Sequence, residues 1–427
     1  MRHATLLIAW LLLIGLSAYP QTGVQPPPAR LSLDDCYAAM VTAYRFTAQT
    51  ELVRQAGDLA RQNLEITRRL PQLSVNGQAT WQSEVTSLPL ELPNVSIPKP
   101  SKDQYKLTLD ASYTLFDGGL LPLQQRGQQL GTALESQRVA VQQNQLRDQV
   151  NALYVNILLT GETILLTEAL RKELTNRLEK IQAGIKFGTA TQTNADALEA
   201  ERLKTDQRLA ELTTSRRGLR ETLGQLTGLI ITEKTELVLP VVTAENLTLQ
   251  RPELKIYDLQ RQLAKANKQL VGNRRMPRLS AFGQAGAGRP GLNFLDNSFR
   301  GFFIGGIRLN WNLSGTYTLR NDRAQLIINQ QQIDNQQQTF ERNLSVQLLQ
   351  QLTEVNRLQS MLADDEKIVA LREKIRRTAL VQLDNGMLAA RDYLTELNAE
   401  NQARLNRTLH QIQFLLARVN YRTLTGN

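Results

Sequence analysis

Histidine and cysteine are the side chains that most often supply acid–base, nucleophilic or metal-binding chemistry near neutral pH. This chain of 427 residues contains two of the first and one of the second. His3 lies just before an N-terminal apolar run and would leave with it as a signal peptide, Cys36 follows the stretch LSLDD, and His410 stands alone in a helical region. One histidine and one distant thiol make neither a catalytic triad nor a recognisable transition-metal site. No Walker loop and no dinucleotide fingerprint occurs, so any energy for work must come from a partner. A single cysteine cannot build a disulfide framework. Cys36 reads as a buried structural thiol rather than a lipid anchor, because Asp34 and Asp35 occupy the place where a lipidation site has small residues. We therefore expect no catalytic residue, no metal site and no cofactor. Carboxylates are numerous, as on any helical surface.

What the chain must position is therefore a shape, and the sequence repeats that shape twice. RRLPQLSVNGQATW begins at Arg68 and RRMPRLSAFGQAGA at Arg274, with Pro71, Leu73, Ser74, Gly77 and Gln78 recurring as Pro277, Leu279, Ser280, Gly283 and Gln284. Further on, Gly118 answers to Gly315, Gly188 to Gly386, and Leu226-Thr227-Gly228 to Leu424-Thr425-Gly426. A period this long exceeds that of any solenoid repeat and reads as duplication of a whole unit. The expected organisation is a first repeat over 24–228, a linker over 229–248 and a second repeat over 249–427.

Within each repeat the pattern changes period. From Gln104 to Leu115 the odd positions read Tyr, Leu, Leu, Ala, Tyr and Leu, while the even ones are polar. Such two-fold alternation predicts strands. We expect them over 73–85 and 104–116, and again over 279–288 and 302–313. The Pro-bearing stretches 86–104 and 289–300 (Pro89, Pro93, Pro98, Pro100, Pro290) read as loops. Elsewhere the spacing is helical. Leu405, Leu409, Ile412, Leu416 and Val419 step by four and three, as do Leu146, Val150, Leu153 and Ile157. Helices are expected over 119–184, 190–227, 316–384 and 388–424. At 1.5 Å per residue the first would span roughly 100 Å, which a compact globular domain cannot use. Pro71 and Pro277 end the incoming helices, and Asp117 beside Gly118, like Ser314 beside Gly315, is an N-cap candidate for the outgoing ones. The repeated phrase thus marks the passage from helix to strand.

The net charge is +10, but its lysines and arginines are interspersed with Gln, Glu and Asp and show no basic cluster with interleaved aromatics. That reads as a solvated surface and not as a nucleic-acid site. Arg2 and His3 precede ATLLIAWLLLIGLSA, the form of a secretory signal peptide, here placed at about 1–23. No other segment reads as long and apolar enough to span a membrane as a helix, so membrane insertion would have to use strands. Nearly half of the aromatic residues fall within 71–117 and 277–317, which fits the girdles of an outer-membrane barrel better than an ordinary sheet. Four strands cannot close a barrel, and an open edge in lipid leaves backbone groups unpaired, so several copies of the chain must share one barrel.

The ordered set LPQLS, LFDGG, FGTATQTNADALEAE and terminal LTG resembles the outer-membrane efflux protein (TolC) family across the whole mature chain. The resemblance implies a mainly α fold with a membrane β-barrel portion: duplicated helix–strand–strand–helix units, with four strands per protomer entering a 12-stranded trimeric barrel continuous with a long periplasmic α-helical barrel. It implies the exit duct of a tripartite efflux pump or type I secretion system in the outer membrane. Its partners would be two further copies in a homotrimer, outer-membrane lipid, a periplasmic membrane-fusion adaptor, and an RND-type or ABC-type inner-membrane pump. Many family members are lipidated, and this sequence lacks that signal. The resemblance places the periplasmic tip at the turns bearing Gly188 and Thr189, and Gly386 and Met387, where an adaptor docks. Asp384 and Asp392 become candidates for acidic rings at a constriction, against the plainer reading of capping and solubility. The alternative from another class is an exported, helix-rich structural or adhesive scaffold without a pore.

Overall fold

The computed structural model describes residues 28–86, 99–241 and 248–426. The signal-peptide reading, the loop prolines Pro89, Pro93 and Pro98, and residues 242–247 of the expected linker lie outside them. The elements run β1 (Arg30–Leu31), α1 (Leu33–Ala43), α2 (Phe46–Arg69), β2 (Gln72–Trp81), β3 (Asp103–Phe116), α3 (Leu120–Lys186) and α4 (Gln192–Thr227). They continue with β4 (Glu236–Leu237), α5 (Pro252–Asn273), β5 (Arg278–Arg289), β6 (Arg300–Asn310), α6 (Leu319–Asp384) and α7 (Ala390–Thr425). The four principal strands fall where alternation put them, except that β2 and β6 stop a few residues sooner. The equivalent helices nearly match in length: α3 has 67 residues and α6 has 66, while α4 and α7 have 36 each. Pro122 sits in the first turn of α3, where its missing N–H costs nothing.

The chain divides into two compact units, each drawing on both repeats. The first holds α1, the later part of α3 from Arg147, α4, the later part of α6 from Gln351, and most of α7. Ser32 and Asp35 form a capping box that starts α1. The short strands β1 and β4 pair in parallel beside it. The fully buried Tyr154 hydroxyl lies 2.8 Å from the Leu31 carbonyl and 2.6 Å from that of Val238, tying α3 to both strands. α3 also contains an 18-residue stretch long and apolar enough to cross a membrane by length and composition. This corrects the expectation that no such segment occurs beyond the N-terminus. The reason is the packing seam: Val150, Tyr154, Val155 and Ile157 of this helix are almost wholly buried within the unit.

The second unit holds α2, the early part of α3, α5, the early part of α6 and a four-stranded antiparallel sheet in the order β2-β3-β5-β6. Register preserves parity across all four strands as far as Thr114, beyond which a bulge sets Phe116 opposite Leu279. Val75 faces Leu109, Leu109 faces Ala285 and Ala285 faces Phe303, so odd residues share one face. That face leaves Leu73, Val75, Trp81, Leu107, Leu109, Phe303, Ile307, Leu309 and Trp311 exposed, a larger apolar surface than a soluble monomer tolerates. On the even face Asp110 accepts hydrogen bonds from Asn76 at 2.7 Å and Thr108 at 2.9 Å, and from Gln284. The second hairpin adds Phe282 and Phe302 to this face. Arg308 lies 4.5 Å from the Phe282 ring and Lys106 lies 5.2 Å from the Phe302 ring.

The junctions differ between repeats. Only Leu70 separates α2 from Pro71, whereas three residues separate α5 from Pro277. Asp117 caps α3, accepting from the Gly119 and Leu121 amides at 2.9 and 3.1 Å, and it pairs with Arg68 at 2.9 Å. Ser314 does not cap α6. It lies in a short 3-10 turn, Ser314–Thr316, and its hydroxyl donates to Asn312, which also accepts from the Gly315 amide. The extra turn moves the start of α6 to Leu319, out of reach of Ser314. Gly118 has a positive φ of 71° and its counterpart Gly315 does not.

Candidate functional site: the paired helix turns

The two turns that interrupt the long helices are built alike. After α3, the Thr189 amide donates to Gly184 O at 2.9 Å and the Gly188 amide to Ile185 O at 3.1 Å. After α6, Met387 donates to Gln382 O at 2.8 Å and Gly386 to Leu383 O at 3.0 Å. These are the paired bonds of a Schellman stop, which needs a left-handed residue at its corner. Gly188 and Gly386 supply it at φ 69° and 71°. A Cβ added at either would meet nothing within 4 Å. Each glycine is thus required by backbone conformation alone, and the space beside it is open.

Both turns belong to the first unit and face one cavity of about 510 Å³, lined among others by Gly188, Thr189, Gly386, Met387, Asp384 and Arg177. Met387 is 71% exposed and Phe187 83%. Two large apolar side chains therefore project into solvent at the turns, where burial would be worth ~2 kcal/mol each. Asp384 is half-exposed and lies 3.4 Å from Arg177. Asp392 is exposed in the first turn of α7, where a carboxylate complements the helix dipole. The structure thus brings Gly188, Thr189, Gly386, Met387 and Asp384 together around one cavity. Asp392 lies on the adjoining helix and is not among the cavity's lining residues.

Beneath the turns α3, α4, α6 and α7 pack on a core of Leu174, Leu178, Ala195, Leu198, Ala379 and Tyr393. Tyr393 is fully buried, and its hydroxyl donates to Glu173 at 3.0 Å. Burial alone would raise the Glu173 carboxyl, but hydrogen bonding and charge from Arg177, with help from Tyr393 and Arg376, hold it below its usual value. Burial, reinforced by the Glu173 charge, pushes the Tyr393 phenol up to about 12, so it remains a donor. Arg376 pairs with the buried Glu400 at 2.7 Å, and Arg404 bridges Glu400 and Glu373 at 2.7 and 3.3 Å. Sequence reasoning missed this network. One signal was present: Tyr393 occupies the position that Ala195 holds in the first repeat, an aromatic where its duplicate is small. The arrangement binds and orients helices, and among the described residues no group of His, Cys, Asp and Glu is placed to hold a metal ion.

No family model and no curated protein matches the chain by sequence. Solved structures match its fold. The outer membrane protein VceC of Vibrio cholerae superposes with a TM-score of 0.70 at 14% identity, over 92% of this chain and 96% of that one. CusC, described for transmembrane channel formation, gives 0.70 at 15% over 96% and 95%. The open-state MtrE outer membrane channel of Neisseria gonorrhoeae gives 0.64 at 17% over 92% and 88%. The fold of this chain is thus that of solved outer-membrane channels over nearly its full length.

Proposed function

We propose that this chain is one protomer of an outer-membrane export channel, a passive duct that carries solutes from the periplasm to the exterior. The observation that carries the reading is the four-stranded sheet, with its apolar odd face exposed and its two outer strands, β2 and β6, each lacking an outer neighbour among the described residues. In lipid such edges would leave a row of N–H and C=O groups unpaired at several kcal/mol each. The sheet alternates direction at every step, so β6 of one copy meets β2 of the next antiparallel, as ring closure requires. Three copies give 12 strands, an even number within the range of known barrels. Odd residues then face lipid, and the even face, with Asp110, Asn76, Gln284 and Arg308, lines a wet interior.

In this reading the paired turns are the periplasmic tip. The exposed Phe187 and Met387 beside Gly188, Thr189 and Gly386 supply an apolar docking surface for a membrane-fusion adaptor, which links the duct to an RND-type or ABC-type pump. Asp384 and Asp392, repeated by symmetry, would ring the constriction. The test is purification from outer membranes followed by cross-linking and planar-bilayer recording. A trimer that conducts is the expected result. A protein that washes off membranes, or a closed oligomer without conductance, would favour the scaffold reading instead.

A further inference from the structure

A cavity of about 700 Å³ lies in the second unit where α5 approaches the sheet, and its charged lining is entirely cationic. Lys265 and Lys268 come from α5, Arg275 from the turn that follows, and Arg323 from α6. None of the four makes an ion pair among the described residues, although neighbouring arginines do. Arg261 pairs with Asp258 and Asp334, and Arg274 pairs with Asp322 at 3.5 Å. Asp322, the carboxylate nearest in sequence to Arg323, is thus committed elsewhere.

Ordinary helix electrostatics does not account for the cluster. A cation near the C-terminal end of α5 complements the helix dipole, which explains Arg275. Lys265 lies two turns earlier, and Arg323 sits near the N-terminal end of α6, the end that disfavours positive charge. Gly272 lets the Arg323 side chain approach α5: a Cβ there would lie 3.2 Å from Nη2. Four like charges in one concavity repel unless an anion joins them. Leu123 and Met276 add apolar surface at the rim.

We propose that this cavity binds a phosphate group, held by Lys265, Lys268, Arg275 and Arg323 through charge-assisted hydrogen bonds. The phosphate can come from a lipid headgroup or from a soluble phosphate, and the assignment of the cavity does not depend on the channel reading. The experiment uses the full chain purified in non-ionic detergent at low salt. One arm titrates inorganic phosphate by calorimetry; the other counts retained dioleoylphosphatidylglycerol by native mass spectrometry. Both are repeated on Lys265→Gln/Lys268→Gln/Arg323→Gln and on a control with equal charge loss at exposed sites, Lys172→Gln/Lys255→Gln/Lys374→Gln. The expected result is a loss of about tenfold in affinity for the site variant and under twofold for the control. Binding in the lipid arm alone assigns a headgroup, and binding in the phosphate arm assigns a soluble ligand. Equal losses in the two variants, or no binding in either arm, would overturn the proposal.

Discussion

At the scale of single residues, Tyr393 and Cys36 show how burial sets chemical behaviour. Removing only the Tyr393 hydroxyl, in Tyr393→Phe, deletes the bond to Glu173 and leaves the ring in place. A hydrogen bond to a charged, partly exposed acceptor is worth about 1 kcal/mol net. Amides in the first turns of α7 should therefore exchange roughly fivefold faster. Unchanged exchange would mean that the ring, and not the hydroxyl, holds the turn. The Glu173 carboxyl is depressed in the folded chain. Its contribution is therefore complete above its unfolded value and lost as the pH falls through the folded one. Glu173→Gln should exchange faster than the parent at neutral pH, and the difference should vanish once the pH falls below the depressed Glu173 value, under the ordinary carboxylate range. A gap that persists there would show that shape, not charge, is responsible. Cys36 is fully buried, and burial with the nearby Asp35 charge pushes its thiol up to about 12. A thiolate-seeking reagent at pH 8 should leave it unmodified until the protein is denatured.

Elements place these residues, and their sequence signals are local. Gly188 and Gly386 hold left-handed corners with open space beside them, so substitution tests conformation without steric clash. Gly188→Val with Gly386→Val should strain each turn by about 1–2 kcal/mol. That is too little to unfold a large oligomer and enough to displace Phe187 and Met387. Export should fail while membrane insertion and oligomer yield persist. The corresponding double Asn variant, which tolerates the same backbone region, should keep most activity. Normal export by the Val pair would remove the turns from adaptor docking. The strands carry an equally local signal. Single cysteines at Val75, Asn76, Gln78, Ala79 and Trp81 should react alternately with a charged thiol reagent in intact membranes, even positions labelling and odd ones not. Both faces are open in one isolated chain, so uniform labelling in membranes would refute the barrel register.

For the whole molecule, closure is the central physical question. The exposed edges of β2 and β6 and the exposed odd face cannot coexist with lipid in one copy alone. Cross-linking of membrane extracts should yield a trimer that resists mild detergent, and a conducting monomer would contradict the closure argument. The cationic cavity adds a separate expectation: the site variant should lose phosphate binding without losing assembly, because Lys265, Lys268 and Arg323 lie in α5 and α6 and none belongs to the edge strands β2 and β6.

Much of this is legible in the amino-acid sequence. Strand parity, helix spacing and the stop glycines are written between residues at most a few positions apart, where backbone geometry alone imposes the period. For that reason the elements and the positions of Gly188, Gly386, Pro71, Pro277 and Asp117 could be read directly. Ser314 does not cap α6 because a short 3-10 turn, invisible to periodicity, separates it from the helix start at Leu319. Tyr393 meets Glu173 from 220 residues away, and Lys265, Arg275 and Arg323 converge from two helices and a turn. Such contacts depend on which helix faces lie side by side, a result of packing across the whole chain that no local pattern encodes. The tertiary structure decided that both stop turns share one cavity, that Asp384 lies beside Arg177, and that the cations near the sheet have no ion-pair partner among the described residues.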